Sequence, residues 1–164
     1  MLRCAKRVVL LWFLLCSCAT GEGLGALAPD FALPNASGEL TRLGDQRGKV
    51  VYLDFWASWC APCLRSFPWM NEMQRRYGSQ GLRIVAVNLD QQRSDAEKFL
   101  QKMAPQFPVV FDASGTTPRA YQVKVMPSSF LIDRNGRLAS AHTGFRDASR
   151  EILESEIKRL VEQP

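Results

Sequence analysis

Histidine and closely spaced cysteines are scarce in this 164-residue chain, and this limits the metal sites that it could form. His142 is the only histidine, and the only Cys-x-x-Cys pair is Cys60 with Cys63. A zinc site usually takes four Cys or His ligands, so one mature chain could complete such a site only by enlisting carboxylates. We therefore predict that the protein holds no metal and needs no cofactor, and that His142 is a structural or surface residue.

Basic stretches interleaved with aromatic residues are lacking as well. The formal net charge of the whole chain is +5, but Arg3, Lys6 and Arg7 supply three of the positive charges, and the charge falls to +2 once residues 1–17 are set aside. A nucleic-acid-binding protein normally shows a basic patch or stripe. We therefore predict no nucleic-acid partner.

No apolar run at the N-terminus is long enough to cross a membrane by itself. The run Val8–Leu15 is far shorter than the roughly 20 residues that a spanning helix needs. It follows basic residues and precedes small ones, a layout typical of a secretory signal. We therefore predict an exported protein of the bacterial cell envelope (periplasm), with a signal peptide over residues 1–19, a linker over 20–28 and one domain over 29–164.

Two ways of processing this signal remain open. The run Leu15-Cys16-Ser17-Cys18 resembles a bacterial lipoprotein signal, which implies that Cys18 becomes the lipid-bearing first residue and tethers the protein to the membrane. Cys16 departs from the small or aliphatic residue usual at its position. Cleavage after Ala19 by an ordinary signal peptidase is the alternative.

The cysteines that remain after processing indicate redox chemistry. Beyond Cys18, only Cys60 and Cys63 are left. Exported proteins meet an oxidising environment, where disulfides form. A disulfide between Cys60 and Cys63 would close a very short loop and stabilise the fold little, because the stabilisation from a cross-link grows with loop length. The pair is therefore predicted to be a dithiol that cycles with its disulfide.

The hydrophobic pattern predicts an α/β domain built around a mixed sheet. We expect an edge hairpin within residues 31–43, strands at 50–56, 82–89, 108–111, 128–132 and 138–143, and helices at 62–77, 94–103, 117–121 and 147–161. Gly78 is expected to cap the first helix, and Ser94 with Glu97 to form a capping box at the start of the second. This order of elements favours one sheet with helices on both faces.

Two segments carry a family resemblance. Residues 54–63 (Asp-Phe-Trp-Ala-Ser-Trp-Cys-Ala-Pro-Cys) resemble the active-site segment of the thioredoxin superfamily, and residues 125–133 resemble its cis-proline segment. With the hairpin and the inserted helix and strand around 94–111, the chain is similar to the TlpA-like exported disulfide reductases, which include those of cytochrome c maturation. The resemblance covers about residues 28–162. It implies a thioredoxin-like fold, a central mixed β-sheet flanked by helices with an N-terminal β-hairpin.

The expected chemistry follows from the position of the cysteine pair. At the start of a helix, Cys60 would meet unpaired N–H groups and the positive end of the helix dipole, so it is predicted to be the nucleophile. Cys63, one turn later, would resolve the mixed disulfide. Ala61 and Pro62 add no charge that would stabilise a thiolate, so we predict a protein-disulfide reductase. Its partners would be proteins with disulfides or dithiols, and a membrane protein would donate its electrons.

Asp54 is predicted to assist this chemistry. It interrupts an apolar strand six residues before Cys60, where thioredoxins carry a buried acid, and the resemblance implies that it accepts the proton of Cys63. A buried carboxyl has a raised pKa, which suits proton exchange near neutrality. An Asp at a strand edge that faces solvent is the alternative.

The resemblance also implies a docking surface. Pro127 would follow a cis peptide bond and hold the backbone of Met126 open beside Cys60, so that an extended partner segment could pair with it. Met126, Trp59 and Pro62 would form an apolar docking patch. Trp59 could instead be a packing residue.

Two other functions are compatible with parts of this pattern. A thiol peroxidase would have Pro and Thr before its reactive Cys, where this chain has Leu53 and Ala57. A copper-binding metallochaperone on the same fold would use a Cys-x-x-x-Cys pair and a distal His.

Several reductases of the cytochrome c type also carry a Glu three residues after the second Cys, where Ser66 stands here.

Overall fold

The computed structural model describes residues 23–163. The elements in chain order are β1 (Ala32–Pro34), β2 (Leu40–Arg42), β3 (Val50–Trp56), α1 (Ala61–Tyr77), β4 (Leu82–Asn88), α2 (Arg93–Met103), β5 (Val109–Phe111), α3 (Thr116–Ala120), β6 (Ser128–Ile132), β7 (Leu138–Thr143) and α4 (Asp147–Val161). The predicted order of elements is confirmed, including the N-terminal hairpin of β1 and β2.

The main sheet has five strands in the order β5-β4-β3-β6-β7. β3 and β4 are parallel, as are β4 and β5, whereas β6 and β7 run antiparallel to their neighbours, so the predicted mixed sheet is confirmed. All seven residues of the central strand β3 are buried. A strand covered on both faces needs apolar residues on both, which explains its nearly continuous run of β-branched and aromatic side chains.

The alternation of side chains along β3 divides the core into two parts. Tyr52 and Trp56 pack with α1, α2 and α4 on one face, whereas Leu53 and Phe55 pack with β1 and the α3 region on the other. Asp54 lies between Tyr52 and Trp56 on the first face, because successive side chains of a strand point to opposite sides. The fold therefore places this carboxyl beneath α1, the helix that begins at the cysteine pair.

The start of α2 differs from the prediction. The helix begins at Arg93, after an N-cap residue, Gln92, whose side chain makes no capping bond, so the predicted capping box of Ser94 and Glu97 is wrong. Arg93 explains the difference, because its Nε donates to Glu97 at 2.9 Å and its guanidinium lies 4.5 Å from the ring centroid of Phe111. Glu97 is thereby engaged by an arginine one turn earlier.

The C-terminal end of α1 also differs from the prediction. Gly78 is the C-cap, but its backbone is right-handed, with φ −58°. A 3₁₀ turn over Gly78–Gln80 follows, and Gly81, with φ 103°, is the left-handed residue that ends the segment. The carbonyl of Gly81 accepts the N–H of Val50 at 3.0 Å, so this turn also positions the first residue of β3.

The described part of the predicted linker is attached to the domain. Gly25 donates its N–H to the carbonyl of Leu138 at 2.7 Å, and Ala28 donates to Gly136 at 2.9 Å. The predicted signal peptide, with Cys18, lies outside the described residues. Across residues 23–163, no helix combines the length and the apolar character that a membrane span requires.

Candidate active site

The two cysteines of the Cys-x-x-Cys pair form a disulfide at the start of α1. Cys60 is the N-cap residue of the helix, Cys63 lies in its first turn, and their Cα atoms are 5.4 Å apart. Cys60 is 4% exposed and Cys63 is fully buried, so Cys60 is the more accessible of the two.

The end of the helix favours a thiolate at Cys60. The first N–H groups of an α-helix have no partner within the helix, and the helix dipole is positive there. The first turn of α1 contains no acidic residue that would offset this effect. Ser66 is buried, and its hydroxyl donates to the carbonyl of Cys63 at 3.1 Å. Electrostatic tuning of the pair therefore comes mainly from the helix itself.

A buried acid that the sequence analysis did not single out holds the loop before Cys60. Asp90, directly after the β4 segment, accepts the backbone N–H of Ser58 at 2.9 Å and the hydroxyl of Ser58 at 3.0 Å. The side chain of Asn88 donates to the same carboxylate at 2.8 Å. The signal that could have found Asp90 is its position at the carboxyl end of a parallel strand, the edge where α/β proteins place their sites.

Asp54 is enclosed beneath the helix, so the alternative of a solvent-facing side chain is wrong. It is 1% exposed, and its Oδ2 atom has no hydrogen-bond partner among residues 23–163. Burial raises the pKa of this carboxyl well above its ordinary value. Because its pKa is raised, this carboxyl holds a proton more tightly than an exposed one, so its ionised form is a stronger acceptor for the proton of a thiol.

Two residues with hydroxyl groups lie next to Asp54 on its face of the sheet. Ser129 of β6 is its direct partner in the antiparallel register, and Tyr52 precedes it by two residues on β3. Ser129 lies near the hydroxyl of Tyr52 and affects its pKa. Burial, and then the charge of Asp54, raise the pKa of Tyr52, so its hydroxyl stays neutral.

The segment before β6 presents free backbone. The peptide bond between Met126 and Pro127 is cis, as predicted, and the carbonyl of Pro127 accepts the N–H of Gly144 at 2.7 Å. Within the part of the chain that the structure describes, the backbone of Met126 makes no hydrogen bond. The side chain of Met126 packs against the core cluster that contains Cys60 and Cys63.

An apolar surface surrounds the cysteine pair. Trp59 is 71% exposed, so the alternative in which it is a packing residue is wrong. Pro62 and Met126 are partly exposed, and Leu64 and Val125 add two more exposed apolar side chains. The docking patch, comprising Trp59, Pro62 and Met126 with these two neighbours, thus combines exposed side chains with the free backbone of Met126.

His142 lies away from the cysteines, on β7. Its Nε2 atom is 2.8 Å from a carboxylate oxygen of Glu156 on α4, and both side chains are 25% exposed. The hydroxyl of Ser140 donates to the same carboxylate at 2.7 Å. Nowhere in residues 23–163 do three His, Cys, Asp or Glu side chains gather in a group that could hold a metal ion.

Known proteins match this chain over most of its length. Residues 24–141 match the AhpC/TSA family. The thiol-disulfide oxidoreductase ResA of Geobacillus kaustophilus is 42% identical over 141 residues, which cover 86% of this chain and 80% of that protein. The crystal structure of a thiol:disulfide interchange protein DsbE from Chlorobium tepidum shares 55% identity, covers 85% of this chain and 98% of its own, and superposes with a TM-score of 0.83.

A third relative adds a lipoprotein to the comparison. The pneumococcal exposed lipoprotein thioredoxin from Streptococcus pneumoniae is 32% identical and covers 80% of this chain and 100% of its own, with a TM-score of 0.70. These matches, together with the disulfide at the helix start and the proline segment beside it, confirm the thioredoxin-like fold. The chain belongs to the AhpC/TSA family and, within it, to the thioredoxin-fold thiol-disulfide oxidoreductases.

Proposed function

We propose that this oxidoreductase works in the bacterial cell envelope as a reductase of protein disulfides. The observation that carries the proposal is the placement of the Cys60–Cys63 disulfide at the helix N-terminus, with Cys63 fully enclosed and no charged residue between the two. Strong oxidants owe their potential to a stabilised thiolate. Here the helix end alone favours the thiolate, since Ala61 and Pro62 contribute no charge.

The proposed cycle has two exchange steps. The thiolate of Cys60 attacks one sulfur of the partner disulfide, a mixed disulfide forms, and the second partner sulfur leaves with the electron pair. Cys63 then attacks Cys60, the bond between Cys60 and the partner breaks, and the partner leaves fully reduced. In this second step Asp54 takes the proton that Cys63 gives up. Two electrons have moved to the partner, and a membrane electron donor must return them.

The docking patch would receive an extended segment of the partner. Its backbone would pair with the free N–H and C=O groups of Met126, while Trp59 and Pro62 contact apolar partner side chains on either side of the disulfide. Main-chain pairing supplies affinity for many sequences. Such a surface suits a reductase with several protein substrates.

A lipid on Cys18 would hold the enzyme at the membrane beside its electron donor. The support is the Leu15-to-Cys18 run and the lipoprotein among the relatives. Replacement of Cys18 by Ala should move the protein from the membrane fraction to the soluble fraction of the cell envelope, whereas Cys16→Ala should not. A wild type that is already in the soluble fraction would favour cleavage after Ala19, and retention of both variants at the membrane would favour another anchor.

The reduction potential of the Cys60–Cys63 pair tests the direction of the reaction. Purified protein would be equilibrated against defined thiol–disulfide buffers, and the fraction oxidised measured by thiol alkylation. A reductase should lie near thioredoxin, at about −270 mV, and in any case below about −230 mV. A potential above about −180 mV would mean that the protein oxidises or isomerises its partners.

A further inference from the structure

The proton that Asp54 takes from Cys63 has to leave a site without direct access to solvent. Asp54 is buried, and β3 is the central strand, so water cannot reach the carboxyl from a sheet edge. If Asp54 kept the proton, it could not serve in the next turnover. The structure should therefore contain groups that connect this carboxyl to the surface.

Such groups cross two strands on the face of the sheet that α1 and α4 cover. Asp54 pairs with Ser129 on β6, and Ser129 pairs in turn with His142 on the edge strand β7. Directly opposed residues of antiparallel strands have Cβ atoms about 4.5–5.5 Å apart, so each side chain is the next neighbour of the one before. The polar row consists of Tyr52, Ser129, His142 and Glu156.

Neighbouring members of the polar row lie beside one another between the buried carboxyl and the surface. Ser129, Asp54 and Glu156 all lie near enough to Tyr52 to affect the pKa of its hydroxyl. Glu156 is in contact with His142 at 2.8 Å. The row therefore reaches from the buried carboxyl to a pair of side chains that are one-quarter exposed.

We propose that the polar row carries the proton exchanged at Asp54 to and from solvent. The proposal rests on the role of Asp54 given above. When Cys63 attacks, its proton moves to the Asp54 carboxylate, and the S–S bond forms while the partner leaves as a thiolate. The proton then passes over the two hydroxyls, each of which accepts one proton and donates its own, to the imidazole and carboxylate at the edge. An imidazole can take up a proton on one nitrogen and release one from the other.

The alternative is that these side chains only hold β7 against α4. Glu154 offers a matched control, because it lies two residues away on α4, is 27% exposed, and binds Tyr77 at 2.8 Å and Arg76 at 2.7 Å without touching the polar row. Each glutamate contacts two side chains, and the two glutamates are similarly exposed, at 27% and 25%. Only loss of Glu156 interrupts the proposed route.

The test measures how fast Cys63 resolves the mixed disulfide near neutral pH. Reduced protein would be mixed with a saturating synthetic peptide that contains one disulfide, and the unimolecular step followed by stopped-flow tryptophan fluorescence. We expect Glu156→Gln, His142→Ala and Tyr52→Phe each to slow this step about tenfold, less than loss of a directly acting acid or base, which costs about a hundredfold or more. Glu154→Gln should match the wild type.

A second readout separates proton transfer from a structural role. Imidazole added to His142→Ala should restore the rate, because the site is partly open, whereas a non-buffering salt of equal ionic strength should not. The reduction potential should stay unchanged in all four variants. If Glu154→Gln slows the step as much as Glu156→Gln, or if imidazole has no effect, the proposal is overturned. Asp54→Asn separates failure of the polar-row proposal from failure of the proposed role of Asp54. A normal rate in that variant would refute the role of Asp54 itself.

Discussion

The carboxylate of Asp90 holds both the backbone N–H and the hydroxyl of Ser58, at 2.9 and 3.0 Å, although the two residues are 32 positions apart. This contact anchors the loop that leads from β3 into the cysteine pair. The carboxylate is 6% exposed, so removal of its oxygens would leave the Ser58 N–H without a partner in a nearly dry site.

Asp90→Ala is therefore expected to destabilise the oxidised protein by about 3 kcal/mol, because buried hydrogen bonds to a charged group contribute about 1.5–3 kcal/mol each. Guanidinium unfolding would measure the change. Asp95→Ala is the matched control, since Asp95 forms an exposed pair with Lys98 and should contribute less than about 1 kcal/mol. Equal losses in the two variants would show that Asp90 does not anchor the loop.

Asp54 should make the stability of the protein depend on pH. Because burial raises its pKa in the folded state, the native protein binds a proton that the unfolded chain has already released once the pH exceeds about 4. Stability from this group is complete below that pH and is lost as the pH rises through the folded pKa, with a slope of about 1.4 kcal/mol per pH unit.

Asp54→Asn removes that slope. Unfolding free energies of the wild type and the variant, measured from pH 4 upward, should therefore diverge in favour of the variant until the folded pKa is passed, and then run parallel. Parallel curves over the whole range would contradict the burial of an ionisable Asp54.

The two cysteines should differ in reactivity once the disulfide is reduced. Cys60 has the helix end and the accessible sulfur, whereas Cys63 is fully enclosed. We expect iodoacetamide to alkylate Cys60 at least about tenfold faster, as assessed by peptide mass spectrometry. Cys63→Ala should trap a stable mixed disulfide with a peptide substrate, and Cys60→Ala should form none. Faster labelling of Cys63 would reverse the assigned roles.

Trp59 should matter for partner binding and not for folding. Because its side chain is mostly exposed, Trp59→Ala should change stability by no more than about 0.5 kcal/mol. An aromatic anchor at an interface typically contributes about 2 kcal/mol, so the Kd for non-covalent binding of a substrate peptide with its cysteines replaced by serine should rise roughly thirtyfold. Ile152→Ala, which removes an exposed apolar side chain from α4, is the control and should leave the Kd unchanged. Equal Kd values for the two would place the docking surface elsewhere.

The local spacing of apolar residues was sufficient to predict most of the strands and helices of the fold. The side chains of the apolar run in β3 are removed from water only if the strand is buried on both faces. Asp54, in the middle of that strand, is therefore buried with them. The spacing of Phe67, Met70 and Met73 required a helix with one face in the core, which put Cys60 at its N-terminus. These inferences succeed because the periods of strands and helices relate residues only a few positions apart.

What the sequence by itself determined is therefore the dithiol, its helix and the buried acid beneath it. Tertiary structure alone decided that Asp90 holds Ser58, that Arg93 starts α2 by contacting Phe111, and that His142 meets Glu156 at the edge of the sheet. Each of these contacts joins segments whose relative placement depends on strand register and on the course of a loop. Strand register and loop course leave no periodic pattern in the sequence, because both are determined only when the whole core packs.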